Sequence, residues 1–414
     1  MSGDTPTATR RTLISGAAAL VTTAVSGSTA GCLSLLPPVG QEVRYGRVDT
    51  PTPIDTEPAY REWIPVQAEL PAGEDQPDVQ DLVWVSVTPG ELGREAIGAE
   101  FRVGADVAMS PLDYFGYAFQ HYDYVHGLGG LGTVAEGDIE TETVTSTLQN
   151  SGYSHNGTYH GWELFDRTDI PRTVAVSKRA IVQSYGNERR PIIETVLDAG
   201  DGRIARHHEQ DKVFETFSDW VGSSPTILEA FGSSFPDFEP SESALAYNFD
   251  DDAAYFIYHQ QYAHGETPTK GEIQEALEKS TERAMQAWAV DIEIDGTQVA
   301  IQMRVEEDEF QDDAAEDRAP YLTWGVDDRA ATVTIRHEAG DTIPVDQVDI
   351  EPQNALVDKP EPGTLLEPGD ELEFTTAKFP ESEDDISVFY NYAENSSNSI
   401  ALLHYEPNEL ESDA

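Results

Sequence analysis

The heptapeptide HYDYVHG at residues 121–127 returns in altered form as HQQYAHG at residues 259–265. Both copies fit the pattern H-x-x-Y-x-H-G, so four of the seven positions are identical. An aromatic strand pattern precedes each copy, and the pattern of a capped helix and two strands follows it. This repetition predicts a duplicated strand–helix–strand–strand unit and favours a pair of ferredoxin-like α+β units.

The second copy is followed by clear local signals. Residues 253–258 (AAYFIY) predict a buried strand, and Thr269–Glu272 (TKGE) matches a capping box that opens a helix. Strands are then predicted at residues 290–294 and 299–305, on either side of the turn Asp295-Gly296.

Elements of the same kinds are predicted around the first copy. Asp138 caps a predicted helix that ends near Asn150, and two further helices follow at residues 191–197 and 212–221. Strands are expected at residues 82–87, 162–165, 173–176 and 181–182.

Beyond an acidic run at residues 306–318 the pattern becomes all-β, with alternating segments at residues 332–335, 372–375 and 386–392. This part predicts an antiparallel β-sandwich over residues 328–406. The expected organisation is therefore a signal peptide, a Pro/Thr-rich tether, a first α+β domain, a second α+β unit ending in the acidic linker, and the sandwich. The boundaries expected for the four segments before the sandwich are 1–31, 32–58, 59–240 and 241–318.

The composition is strongly acidic, with 77 Asp and Glu against 25 Lys and Arg and a formal net charge of -52. Only six of the basic residues are Lys. Such a surface is typical of proteins in molar salt, where the Debye length falls to about 3 Å and carboxylate repulsion is screened. The same composition excludes a nucleic-acid partner, because phosphate neutralisation needs clustered Lys and Arg.

The N-terminus carries an export pattern. Arg10-Arg11 precedes an apolar stretch, Ala17–Val25, that is too short and too polar to span a bilayer, and it resembles a twin-arginine signal. The stretch ends at Thr29-Ala30-Gly31-Cys32, which resembles a lipoprotein box. Cys32 is the only cysteine, so it cannot form an intramolecular disulfide. We expect cleavage before Cys32, lipid on Cys32, and attachment to the outer face of the cell membrane.

Two resemblances extend this interpretation. Across residues 60–240 the chain is similar to a family of haloarchaeal lipoproteins exported by twin-arginine signals, through Gly137-Asp138-Ile139, Gly152-Tyr153 and Tyr159–Trp162 (YHGW). The C-terminal part, at residues 335–343 (IRHEAGDTI) and 366–370 (LEPGD), resembles the β-sandwich of archaeal type IV pilin-like proteins. The first resemblance implies an exported lipoprotein. The second implies a surface module, because the long apolar helix that assembles pilins is missing.

Chemical motifs are sparse, and no catalytic residue or cofactor is expected. His126 and His264 are the metal-ligand candidates, since duplication could bring them together across a pseudo-symmetric interface. Their own pairs, His121/His126 and His259/His264, are spaced by five residues, which does not suit chelation on one helix or strand. We therefore favour histidines at strand ends before a glycine turn.

Other motifs also favour ordinary structural explanations. Residues 127–132 (GLGGLG) match G-x-G-x-x-G, but no predicted helix opens directly at the motif, so a loop is favoured. Asn156 and Asn395 begin sequons and are possible glycosylation sites.

The expected function is a membrane-anchored extracellular lipoprotein of halophilic archaeal type, with a binding or cell-envelope structural role. Its expected partners are the membrane, through lipid on Cys32, and a cell-envelope protein or a small solute. The alternatives are a solute- or metal-binding transport lipoprotein, or a surface hydrolase with its cleft between the duplicated units.

Overall fold

A computed structural model describes residues 45–51, 57–72, 79, 84–92, 112–186, 189–224, 226–229, 238, 240–250, 253–281, 289–306, 319–329, 331–375, 378–379, 385–391 and 399–407. The predicted signal peptide with Arg10 and Arg11, the anchor Cys32 and the sequon at Asn395 lie outside the described residues. So do most of the predicted tether and nearly all of the acidic linker.

A large antiparallel sheet dominates the described chain. Its strands are β1 (Trp84–Val87), β2 (Tyr124–Gly127), β3 (Thr133–Glu136), β4 (Ser154–Tyr159), β5 (Trp162–Arg167), β6 (Arg172–Val176), β7 (Ala180–Tyr185), β8 (Thr226–Glu229), β9 (Glu242–Phe249), β10 (Ala253–Gln261), β11 (Ala289–Asp295) and β12 (Gln298–Glu306). Their order across the sheet is β11-β12-β10-β9-β8-β1-β2-β3-β7-β6-β5-β4. Every neighbouring pair runs antiparallel.

Six helices accompany the described strands: α1 (Pro89–Leu92), α2 (Thr141–Asn150), α3 (Arg189–Gly200), α4 (His207–Gln210), α5 (Lys212–Val221) and α6 (Lys270–Thr281). Short 3-10 segments lie at Ala59–Trp63, Gln67–Glu69, Phe119–His121, Gly129–Leu131 and Val345–Gln347. None of the helices in the described part of the chain is long and apolar enough to cross a bilayer.

Helices cover both faces of the large sheet. Helices α2 and α6 pack on one face, while α3, α5 and the Ala59–Trp63 segment pack on the other. In β1, Val85 and Val87 join the α2/α6 core and Trp84 joins the α3/α5 core. Because side chains alternate along a strand, Ser86 also lies on the α3/α5 face.

The C-terminal strands form three small antiparallel sheets over a shared core. One contains β13 (Leu322–Arg329), β14 (Thr332–Gly340) and β18 (Glu371–Thr375); one pairs β15 (Ile343–Pro344) with β17 (Leu365–Leu366); and one contains β16 (Val348–Glu351), β19 (Ile386–Asn391) and β20 (Ser399–Tyr405). Apolar side chains from all three sheets meet in this core, among them Ile335, Leu366 and Val388.

The predicted fold class, duplicated ferredoxin-like α+β units followed by a β-sandwich, is wrong. The chain is mainly antiparallel β, with 42% strand. One sheet takes strands from both supposed units, because β8 of the first unit pairs with β9 of the second. Four strands return to the sheet after α2 but only two return after α6, and the C-terminal strands divide among three sheets.

The two heptapeptides also occupy different structural positions. His121 lies in a 3-10 segment and its counterpart His259 is buried in β10. His126 is buried in β2, whereas His264 lies exposed in the turn that follows β10. The identical residues of the two copies therefore do not occupy equivalent positions. Pairing between strands that are far apart in sequence decides which side chains are buried.

Several local predictions are confirmed, although the predicted topology is wrong. The capping box is confirmed: the backbone N–H and hydroxyl of Thr269 donate to Glu272 Oε2 at 2.8 and 2.7 Å. Helix α5 begins and ends at the predicted residues, and Asp211 caps it by accepting from the N–H groups of Val213 and Phe214. The Asp295-Gly296 hairpin turn is confirmed between β11 and β12.

A substitution at Gly132 tests the described packing of the large sheet. Gly132 has a φ of 118°, and an added Cβ would lie 2.0 Å from the Gln183 carbonyl oxygen. We expect Gly132→Ala to lower the free energy of unfolding by about 2–4 kcal/mol, because backbone strain and overpacking add. Urea unfolding in molar salt, followed by tryptophan fluorescence, measures the change.

The matched control is Gly271→Ala, on α6, where an added Cβ meets no atom within 4 Å. That variant should match the parent or exceed it by up to about 1 kcal/mol. Equal stability of the two variants would contradict the described packing of β3 against β7.

Candidate functional site

Three polar side chains lie in line across the centre of the large sheet, on its α3/α5 face. Ser86 of β1 is directly opposite His126 of β2, and Glu136 of β3 lies diagonally beyond. The Ser86 Oγ to His126 Nδ1 distance is 3.0 Å, and the His126 Nε2 to Glu136 Oε1 distance is also 3.0 Å. Antiparallel register places alternate residues of adjacent strands on one face, which aligns the three groups.

The protonation of this array follows from Glu136. Burial raises the pKa of its carboxyl, but the hydrogen bond and electrostatic attraction of His126, the hydrogen bond from Trp63 and the nearby charge of Arg179 together outweigh burial and hold the pKa below its ordinary value. An ionised carboxylate only accepts hydrogen bonds, so Nε2 of His126 donates to Glu136. The other ring nitrogen of His126, Nδ1, is hydrogen-bonded to the Ser86 hydroxyl.

A tryptophan and an arginine cover the array. The Trp63 indole, which is fully buried, donates to Glu136 Oε1 at 2.9 Å. The Arg179 guanidinium lies 4.6 Å from the centre of the Trp63 ring and 5.5 Å from that of Trp162, and it pairs with Asp201 at 2.8 Å. The Glu136 side chain keeps 20% exposure, whereas the His126 side chain has none. Water therefore reaches the carboxylate end of the array and not the imidazole.

The order hydroxyl–imidazole–carboxylate is that of a nucleophile, a base and an orienting acid. The ring nitrogens are exchanged relative to the serine-protease arrangement, in which the base is Nε2. Ser86 is 6% exposed. It lies inside β1, whose two edges are both paired, so the backbone N–H groups of β1 serve the sheet and are not free to bind an oxyanion. The array is therefore built to satisfy buried polar groups and to join β1, β2 and β3.

A second buried polar cluster joins the large sheet to the C-terminal sheets. The Arg167 side chain, on β5, is fully buried and pairs with Asp169 at 2.5 Å and Glu338 at 3.2 Å. Asp169 also accepts from the backbone N–H of Val326 on β13 at 3.0 Å. Burial raises the pKa of Glu338, while the guanidinium of Arg167, despite the burial of Asp169, lowers the pKa of that carboxyl.

Asp113 is the centre of the neighbouring contacts. Its carboxylate accepts hydrogen bonds from Arg172 of β6 and from the Tyr153 hydroxyl. Its backbone carbonyl accepts from the Tyr321 hydroxyl at 2.6 Å, just before β13. Burial is the main cause that raises the pKa of Tyr153 and Tyr321, so both hydroxyls remain donors. Together with the Arg167 pairs, these contacts attach the C-terminal sheets through buried, charge-assisted hydrogen bonds.

The metal hypothesis is not supported by the positions of its histidines. His126 is enclosed by Ser86 and Glu136, and His264 is exposed in the turn after β10. Within the described ranges, no group of three or more His, Cys, Asp and Glu side chains is placed to hold a metal ion. Asn156, the described sequon residue, is exposed on β4 and donates to Asp166.

In the glycine-rich stretch, Gly127 ends β2 and residues 128–132 form the hairpin loop to β3, so the predicted loop is confirmed. Helix α2 does not begin until Thr141. Ser86 and Glu136 were missed by the sequence reasoning. Their local signal is a polar residue on the α3/α5 face of a short buried strand, in WVSV and TVAE.

Comparison with known proteins names no family for this chain. No family model matches it, and no curated protein matches it. Three crystal forms of the protein TP0453 show a weak structural likeness, with TM-scores of 0.34, 0.36 and 0.33 at 11%, 10% and 12% identity. These matches cover 59%, 59% and 54% of this chain and 95%, 94% and 89% of TP0453.

Glu136→Gln tests the charge state of the array. Since the folded pKa of Glu136 is below its ordinary value, its ionisation stabilises the fold above that ordinary value, and the contribution is lost as pH falls through the folded pKa. We expect the variant to be about 1–3 kcal/mol less stable at neutral pH. The difference should shrink as pH falls below the ordinary value of 4.5, because the parent then protonates Glu136.

Urea unfolding across this pH range, in molar salt, measures the difference. Glu293→Gln, at an exposed glutamate on β11, is the matched control and should stay within about 0.5 kcal/mol of the parent. A Glu136→Gln difference that is constant with pH would show that Glu136 is not the ionised acceptor in this array.

Proposed function

We propose that this protein is an exported lipoprotein of halophilic archaeal type, attached by lipid on Cys32 to the outer face of the cell membrane. There it serves a binding or cell-envelope structural role and carries out no catalysis. The observation that carries the proposal is the box Thr29–Cys32 behind the paired Arg10-Arg11, with Cys32 as the only cysteine of the chain.

The surface charge supports this placement. A formal charge of -52 with only six lysines suits a protein exposed to molar salt, where hydration matters and carboxylate repulsion is screened. The resemblance to haloarchaeal exported lipoproteins points in the same direction.

The buried polar groups support a role that depends on surfaces. Ser86, His126 and Glu136 bind one another inside the sheet, and Arg167, Asp169 and Glu338 hold the C-terminal sheets. These charges are used for architecture. A cell-envelope protein or a small solute would therefore be recognised by the outer surface of the folded chain.

Asn156 remains a predicted glycosylation site. Its sequon, Asn156-Gly157-Thr158, is exposed on the end strand β4, so a glycan there would not disturb the core.

Cys32→Ser tests the anchor. Expressed in a halophilic archaeal host, the parent should fractionate with membranes and carry a lipid-modified N-terminal Cys32 by mass spectrometry. The variant should move to the soluble fraction, because the thiol that accepts lipid is gone. The matched control, Arg10→Lys with Arg11→Lys, should remain inside the cell unprocessed. Full retention of Cys32→Ser in the membrane would overturn the anchor.

The Ser86–His126–Glu136 array favours the second candidate, a surface hydrolase, because it places an imidazole base on a serine hydroxyl at 3.0 Å. A fluorophosphonate probe, followed by peptide mass spectrometry, separates the two proposals. We expect no adduct on Ser86 in the native protein, since the hydroxyl is buried. An adduct that His126→Gln abolishes would establish a nucleophilic serine and refute the non-catalytic role.

A further inference from the structure

Residues 45–51, which we name the strap, are the first described residues after Cys32. Tyr45 forms a parallel bridge with Val290 of β11, and the Gly46 N–H donates to the Val290 carbonyl at 3.0 Å. Strand β11 is the end strand of the large sheet. The strap therefore pairs with the outer edge of β11, on the side away from β12.

The strap then runs inward over the sheet. Val48 is 6% exposed and packs in a small core with Ala253 and Tyr255 of β10. The Thr50 hydroxyl donates to Gln302 Oε1 of β12 at 2.8 Å. Along β10 and β12, Ala253, Tyr255 and Gln302 alternate with the residues that face α6. The strap therefore crosses the face of the sheet opposite α6. The described chain therefore begins at the outer edge of β11 and proceeds inward from there.

Chain length limits where the anchor can be. Cys32 and Tyr45 are separated by 13 peptide steps. Fully extended, these steps reach at most about 45 Å, and a flexible chain of this length has an end-to-end distance of about 20 Å. The twelve strands, at about 4.8 Å spacing, place β4 on the order of 50 Å from β11 across the sheet. The tether thus keeps the β11 edge within a short reach of the lipid, whereas it places no such restraint on the β4 edge.

We infer that the strap orients the protein on the membrane, with the β11 edge toward the lipid surface and the β4 edge toward the outside. This inference rests on the proposed lipid anchor at Cys32. It also divides the surface by role, because the exposed sequon at Asn156 on β4 and the junction of β5 with the C-terminal sheets lie at the outer end. The strap itself covers backbone groups that the end strand β11 would otherwise expose.

Energy transfer to the bilayer tests the orientation. Cys32 carries the lipid, so an added cysteine is the only free thiol. Glu293→Cys on β11 and Thr158→Cys on β4 are both at exposed positions and receive the same donor dye. The lipidated full chain is incorporated into phosphatidylcholine vesicles that contain a lipid-linked acceptor, in molar salt. Transfer from residue 293 should exceed transfer from residue 158 by about twofold or more.

Two variants test the strap. Val48→Asp removes its buried contact and should bring the two efficiencies together while vesicle association is unchanged. A 15-residue Gly/Ser insertion between residues 44 and 45 leaves the strap intact but lengthens the tether, and it should reduce both efficiencies. If the insertion lowered neither efficiency, the short tether would not be what holds the β11 edge near the lipid.

Flotation separates failure of the anchor from failure of the orientation. If the chain with intact Cys32 does not float with the vesicles, the anchor fails and the orientation fails with it. If the chain floats but residues 293 and 158 transfer equally, or residue 158 transfers more, only the orientation is overturned.

Discussion

The pairing of β1 with two partners is the constraint on which the rest of the structure depends. This strand has only four residues, all buried, yet it pairs with β2 on one edge and with β8 on the other. Without it the large sheet would separate into two halves, each with an open edge that exposes unpaired backbone. Its side chains serve both layers: Val87 lies in the core beneath α2 and α6, Trp84 stacks on Tyr60 at 4.1 Å, and Ser86 begins the buried array.

The sequence predicted local elements well and their partners poorly, and β1 shows why. The apolar run that ends in WVSV is a clear strand signal, but nothing near it indicates that residues 125–127 and 226–229 will be its neighbours. Pairing over such distances is decided by the whole core and by loop closure, whose cost rises only slowly with loop length. The repeated heptapeptide gave a wrong prediction for the same reason. Its second histidine lies in a strand in the first copy (His126) and in a turn in the second (His264).

The candidate site divides in the same way. His126 was found because histidine is rare and chemically distinctive, but its partner was expected to be His264. Its actual partners, Ser86 and Glu136, are common residue types that become notable only when three strands align them. The role of the arginines likewise became clear only in the structure. Of the 25 basic residues 19 are Arg, and composition alone attributes this excess to habitat. In the structure, Arg61 and Arg167 are buried against Asp219 and Asp169, where a planar fork of donors satisfies several acceptors at once.

High salt also changes what keeps such a sheet from associating with its copies. At low ionic strength a charge of -52 would hold molecules apart, but in molar salt the Debye length is about 3 Å and that repulsion hardly reaches beyond contact. Protection of the end strands must then come from shape. The strap covers β11 at Val290, and β4 is interrupted between His155 and Thr158, where Gly157 has a φ of 83°. A bulged strand with an exposed polar surface is a poor template for another strand. The acidic surface thus maintains hydration, while the geometry of the two end strands opposes edge-to-edge pairing.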